Sequence, residues 1–316
     1  MKKIILYVLF AISFLFCSSK IAKAATFDLF HIIYNGTQQN EPLIYKNLII
    51  WTDWRGALGL DIWGYDLKTK QEFPIIKDKI GHQRATGPSD KYLVYNDDNG
   101  NLGENDVRVL NLKTGEDKLV AGRSVNQANG VISGNYIVYI EGGVCGKLIG
   151  YNLVSEKSTL IVNYTCYPYD IYNNTVVYTT YTPAELNDVY SYDIKKKKYF
   201  PIAAGNGNQA QPDIYKNRVI WLDHASGGFG DGYSIIVKDL KNNEEEIVYQ
   251  ASINAVGSPT LSNKYVFWSE GPAKHFMSIK GFDFETKEVF EVFPIGPHQN
   301  TRTSISTWKN AVVWMA

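Results

Sequence analysis

One short pattern recurs seven times along the chain and constrains the fold more than any other feature. A polar turn leads into β-branched or aliphatic residues and closes on an aromatic, as in Lys46-Asn47-Leu48-Ile49-Ile50-Trp51 and Lys216-Asn217-Arg218-Val219-Ile220-Trp221. The closing aromatics are Trp51, Tyr95, Tyr139, Tyr178, Trp221, Trp268 and Trp314, spaced 39 to 47 residues apart. Such runs suit half-buried strands. Regular recurrence at this period is the mark of a repeat architecture.

A second pattern interleaves with the first: Tyr65-Asp66-Leu67, Leu110-Asn111-Leu112, Tyr151-Asn152-Leu153, Tyr192-Asp193-Ile194, Lys238-Asp239-Leu240 and Phe282-Asp283-Phe284. In each, Asp or Asn suits the start of a turn, where its side chain bonds backbone two residues on. The two patterns divide each unit into four short strands, a to d. Strand b ends at the aromatic and strand c at the Asp/Asn motif. Four strands per unit of roughly 40 to 50 residues predict a propeller blade, and stacked blades bury faces that one blade cannot. A two-sheet sandwich is the architectural alternative. Seven a–b pairs meet only six c–d pairs. The segment Thr26 to Tyr34 resembles a strand d, so it is expected to pair with the strand ending at Trp314 and close a seventh blade. Covering both edges in this way removes a pairing liability. The expected fold is therefore an all-β, seven-bladed propeller.

The first residues read as an export signal. Lys2 and Lys3 precede an apolar stretch from Ile4 to Cys17, and Ala22-Lys23-Ala24 is an A-x-A site. This predicts a leader over 1–24 and a propeller domain over 25–316, in the periplasm, at the cell surface or outside the cell. The apolar run is short for a membrane span. Without the leader, 28 basic residues face 32 acidic ones, which gives no basic stripe for nucleic acid. Cys145 and Cys166 remain, a pair expected to form a disulfide in an oxidising compartment. The repeat register places Cys145 in the b–c loop of blade 3 and Cys166 at the start of blade 4.

The repeats resemble the TolB-type propeller repeats, in the variant found in bacterial and archaeal surface proteins. The resemblance rests on Pro42-Leu43-Ile44-Tyr45-Lys46-Asn47-Leu48-Ile49-Ile50-Trp51-Thr52-Asp53-Trp54-Arg55 with Asp61-Ile62-Trp63-Gly64-Tyr65-Asp66-Leu67, and on Gln209 to Asp223. It covers nearly all of the chain beyond the leader and implies a fold more than a function. The separate N-terminal α/β domain of TolB is absent. Turns such as Tyr45-Lys46-Asn47 replace the usual Ser-Pro-Asp-Gly.

Alternating strands place the d–a and b–c connections on one face, called upper here, and the short a–b and c–d turns on the lower face. Variable loops on a rigid frame commonly carry binding residues. Counting twelve residues back from each closing aromatic gives Gln39, Gln83, Gln127, Cys166, Gln209, Val256 and Arg302. The four Gln and Arg302 are candidates to ring the channel mouth and bind a polar ligand. The other reading is that each amide satisfies backbone between blades. His82, Trp54 and Arg55 join the candidates, since aromatics with Arg suit sugar stacking or a protein contact.

His31, His224, His275 and His298 show no metal-binding spacing. An enzyme alternative is suggested by the propeller-shaped oligogalacturonate lyases, with metal held by His and Gln. Asp97, Asp98, Asn99 and Asp106 resemble an oxygen-rich calcium loop without the EF-hand spacing; no other cofactor is suggested. The function expected is a non-catalytic, monomeric binding or protein-interaction scaffold for a protein or carbohydrate ligand, without nucleic acid. A secreted carbohydrate-active enzyme, lyase- or hydrolase-like, is the alternative.

Overall fold

Strand b of every repeat is buried on both faces, which is why its sequence is a continuous apolar run. In the computed structural model Ile49, Ile50 and Trp51 are fully buried, as are Val219, Ile220 and Trp221. The structure describes residues 6–11, 27–32, 38–101, 104–122, 125–180, 187–204, 207–224, 232–251, 255–257, 259–273, 276–294 and 304–315. They form an all-β propeller with six complete blades, each an antiparallel sheet of consecutive strands.

Blade 1 comprises Gln39–Tyr45, Leu48–Asp53, Asp61–Asp66 and Gln71–Ile76 as strands a to d. Blade 2 comprises Gln83–Pro88, Tyr92–Asp97, Asp106–Asn111 and Asp117–Ala121, and blade 3 Gln127–Ser133, Tyr136–Glu141, Cys145–Asn152 and Lys157–Cys166. Blade 4 runs from Asp170–Tyr172 to Lys198–Ala203 and blade 5 from Asn208–Tyr215 to Glu245–Ala251. Blade 6 splits its strand a into Ala255–Val256 and Thr260–Leu261 and ends at Val289–Phe293.

The Asp/Asn motif behaves as its sequence predicts. Asp66 Oδ1 accepts the amides of Lys68 and Thr69, and Asn152 Oδ1 those of Val154 and Ser155. The a–b turns place Lys46, Asn173, Lys216 and Lys309 in the left-handed region, with φ between 53° and 58°.

Apolar clusters fill the junctions between sheets. Ile50 and Ile62 of blade 1 meet Leu93 and Tyr95 of blade 2. Val138 and Leu148 of blade 3 meet Tyr169 and Tyr178 at blade 4. Gly130 permits one close approach: a Cβ there would lie 2.5 Å from Val94 Cγ1 of the neighbouring blade.

The chain ends share a further sheet, in the order Phe27–His31, Leu6–Ala11, Ala311–Met315, Ile305–Trp308. This corrects the expected closure. The segment at 27–31 does not pair directly with the strand containing Trp314; Leu6–Ala11 lies between them, with Tyr7 opposite Trp314 and His31 opposite Tyr7. An intervening antiparallel strand leaves Phe27–His31 parallel to Ala311–Met315. The C-terminal pair packs on both neighbours, through Val312 and Trp314 on blade 6 and Ala311 and Val313 on blade 1.

Cys145 and Cys166 are joined, with Cα atoms 4.0 Å apart. Their location differs from expectation. Strand d of blade 3 extends ten residues to Cys166, so the bridge links strands c and d within blade 3, where the two residues lie opposite each other.

Candidate functional site

The four register-matched glutamines are buried, with exposures of 0 to 4%. Each lies opposite an acid at the end of strand b: Gln39 opposite Asp53, Gln83 opposite Asp97, Gln127 opposite Glu141 and Gln209 opposite Asp223. Gln83 Nε2 donates to Asp97 Oδ1 at 3.1 Å and to the Ile80 carbonyl at 3.2 Å. Gln39 and Gln209 donate to Asp53 and Asp223 at 3.4 and 3.3 Å. The backbone amides of Gln83, Gln127 and Gln209 donate to Leu60, Asn105 and Asn187 of the preceding blade. Gln83, Gln127 and Gln209 thus stitch blades together, and none of the four lines the central cavity.

His82 belongs to the same stitching. Its Nδ1 accepts the Leu60 amide at 3.1 Å, across the junction of blades 1 and 2. Trp54 stands 5.4 Å from the His82 ring and is about half exposed on the upper face. Arg55 is held internally. It bonds Asp53 Oδ2 at 2.6 Å, pairs with Glu72 and stacks 3.9 Å above the Trp63 ring. Burial alone would raise the Asp53 carboxyl, but hydrogen bonds from Arg55 and Trp51 outweigh it and hold Asp53 low. Arg302, His275 and His298 lie outside the described residues. His224 is buried against Tyr233, and burial lowers its pKa.

The oxygen-rich loop of blade 2 turns its carboxylates inward. Asp97 Oδ2 pairs with Lys79 at 3.0 Å, and its Oδ1 accepts the Asn99 amide as well as Gln83. Asp98 Oδ1 accepts the amides of His82 and Gly100, while the Asn99 side chain donates to Asp106. Among the described residues no group of three or more His, Cys, Asp or Glu is placed to hold a metal ion.

The feature that gathers chemistry is the central channel, a cavity of about 810 Å³ walled by the innermost strand of every sheet. Part of its polar lining arises from bulges. In blades 1, 3 and 5 the a–b register breaks between Asn40 and Leu43, Ala128 and Val131, and Ala210 and Asp213. Glu41, Asn129 and Gln211 sit at those breaks in the left-handed region, with φ of 54°, 58° and 57°. A bulge re-aims a side chain and shifts the alternation of the strand. All three residues line the channel, with Arg84 3.9 Å from Glu41.

Deeper in the channel Asp170 of blade 4 and Asp213 of blade 5 share a hydrogen bond. Asp170 Oδ2 accepts the Ile214 amide of the next blade at 3.2 Å, and Asp213 Oδ2 the Leu261 amide of blade 6 at 2.5 Å. Ser306 continues the arrangement, accepting the Ile44 amide of blade 1 at 3.1 Å. Burial first, then the Asp213 charge and the bond to it, pushes the Asp170 carboxyl well above the usual carboxylate range. Tyr167 is half exposed to this space, and the protein crowded around it, then the charges of Asp170, Glu41 and Asp213, push its phenol up.

The folded chain thus keeps a proton on Asp170 that the unfolded chain has released above the ordinary carboxylate pKa. The native state binds more protons across that window, so this pair lowers stability as pH rises through it. Asp170→Asn retains an acceptor for Ile214 and a donor towards Asp213. Its stability relative to wild type should therefore increase from pH 5 to pH 8. Urea unfolding at both pH values measures this, and a difference that does not change with pH would rule the pair out as its source.

No family profile matches the sequence, and no curated protein matches it. Solved structures do. A prolyl endopeptidase aligns at a TM-score of 0.64 and 12% identity, over 87% of this chain and 46% of its own, so the chain spans about half of that enzyme. An oligogalacturonate lyase in complex with manganese aligns at 0.61 and 13%, over 85% of each chain. The β-propeller domain of the Trilobed protease from Pyrococcus furiosus aligns at 0.61 and 11%, over 86% of this chain and 87% of that one. TolB from Acinetobacter baumannii aligns at 0.51 and 11%, over 95% and 65%. At these identities the likeness establishes the propeller fold, which binding proteins and enzymes share.

Proposed function

We propose that this chain is an exported propeller that holds a ligand in its central channel without transforming it, as a binding or protein-interaction scaffold in the cell envelope or outside the cell. The observation that carries this reading is the composition of the channel: carboxyls, amides, hydroxyls and aromatics contributed by the sheets converge on one open-ended space. Export is supported by the basic and apolar leader pattern and by the disulfide, which suits an oxidising compartment. We read the chain-end sheet as a seventh blade. Cleavage after Ala24 would remove Leu6–Ala11 from it, so Phe27–His31 would have to reverse to pair antiparallel with Ala311–Met315.

A secreted carbohydrate-active enzyme is the second reading, favoured by the convergence of Asp170 and Asp213. Against it, the two carboxyls bond each other directly and hold interblade amides. A glycosidase pair stands roughly 5 Å or more apart, with substrate between. Arg84→Trp, which fills the channel from a part-exposed position, provides the test. Capture from an envelope extract and from a glycan array should be lost in this variant and retained in wild type. Equal capture by both would overturn the channel reading. Conversion of a captured glycan, followed by new reducing ends or unsaturated products, would establish the enzyme instead.

A further inference from the structure

The lower end of the channel carries aromatics that the Gln register does not include. Six residues after the Gln position, each innermost strand reaches the a–b turn. There blade 1 presents Tyr45, blade 4 Tyr172, blade 5 Tyr215 and the chain-end sheet Trp308, all on the channel wall. They form two pairs. Tyr45 and Trp308 have ring centroids 4.1 Å apart across the junction of blade 1 with the chain-end sheet. Tyr172 and Tyr215 are 5.4 Å apart across the junction of blades 4 and 5. These junctions lie on opposite sides of the ring. Both pairs line the same channel. At the equivalent position blades 2 and 3 place the small residues Ser89 and Ser133.

Two opposed aromatic walls with a gap beside them make a slot. We propose that this lower mouth is a carbohydrate-binding slot, taking the terminal pyranose rings of an oligosaccharide between the Tyr45–Trp308 and Tyr172–Tyr215 pairs. This rests on the reading of the channel as ligand-holding and names its ligand class. The negative face of an aromatic ring attracts partly positive hydrogens, and the C–H face of a pyranose presents several of them. Ser133 and Ser306 accept the amides of Asn173 and Ile44. A hydroxyl that accepts one bond keeps its own proton to donate, here towards sugar oxygens. Carboxyls and amides deeper in the channel suit the ring hydroxyls. Lys46, Lys216 and Lys309 stand in the rim turns, Lys46 paired with Asp90 and Lys216 bonded to Asn263.

The test is titration calorimetry on the mature protein with cellopentaose, chitopentaose and pentagalacturonate, and with a proline-rich decapeptide as the rival aromatic-binding ligand. At least one oligosaccharide should bind. Trp308→Leu, which keeps apolar bulk but loses the ring, and Tyr215→Ala should each weaken it tenfold or more. Tyr199→Ala, on the outer strand of blade 4, should change it less than twofold. Melting curves identify any variant that fails to fold, and the folded partner variant then decides. Galacturonate binding alone would assign the rim lysines a part; neutral sugar binding would assign the slot to ring stacking. Binding of the peptide alone, of no oligosaccharide, or unchanged affinity in both slot variants would overturn the proposal. If no sugar binds while Arg84→Trp still abolishes capture from extract, the slot fails and the channel reading stands.

Discussion

Trp268→Ala should lower the unfolding free energy by about 3–5 kcal/mol, the range for truncating a buried aromatic. Trp268 is fully buried in strand b of blade 6, where it packs in the cluster shared with Ile220, Leu222 and Val237 of blade 5. Its ring centroid lies 4.8 Å from that of Tyr249. The cost is therefore lost at a junction between blades, and neighbouring repeats in such an array depend on their interfaces. Urea denaturation measures it, and a loss under about 1 kcal/mol would contradict the packing described. A finer comparison separates ring from N–H. Trp51 Nε1 donates to Asp53 at 2.9 Å, whereas Trp268 Nε1 has no hydrogen-bond partner among the described residues. Trp51→Phe should accordingly cost more than Trp268→Phe, by about 1 kcal/mol.

The blades were legible in the sequence because strand b is enclosed on both sides and so cannot alternate. The Asp/Asn turns were legible because their bonds are local. The glutamine register was legible too, but not its role. The missed signal lies fourteen residues on, where each of the four Gln meets Asp53, Asp97, Glu141 or Asp223 across the a–b hairpin. An amide repeated together with an opposing acid is an internal pair. The channel residues stayed hidden for a different reason. A bulge breaks the period of two on which strand reading depends, so Glu41, Asn129 and Gln211 appear out of phase. The trace they leave is a polar residue directly before Pro42, Gly130 or Pro212. The aromatics of the lower mouth were visible only as members of turns such as Tyr45-Lys46-Asn47 and Trp308-Lys309-Asn310, because nothing in one repeat tells which junction an aromatic will face. Arg55 reads as a ligand-binding candidate in the sequence because its internal partners, Glu72 and Trp63, come from strands d and c.

Opening the Cys145–Cys166 bridge should cost about 3 kcal/mol in the loop-entropy account. The cysteines are 21 positions apart and close the c–d hairpin at the upper end of blade 3. Beyond the bridge the chain enters the channel wall directly. The Tyr167 amide donates to the Val144 carbonyl at 3.0 Å, and the Tyr169 hydroxyl donates to the Asn129 carbonyl at 2.7 Å. The bridge thus anchors the segment that presents Tyr167 and Asp170 to the channel. Cys145→Ser with Cys166→Ser should lower the urea midpoint, and wild type in reductant should shift to match it. The double variant should also bind channel ligands more weakly, because the wall segment gains freedom that binding must then remove. Identical midpoints with and without reductant, together with two alkylatable thiols in the untreated protein, would show that the bridge does not form. A lowered midpoint with unchanged ligand affinity would confine its role to stability and leave the channel wall to be set by Tyr169 and the interblade carboxyls.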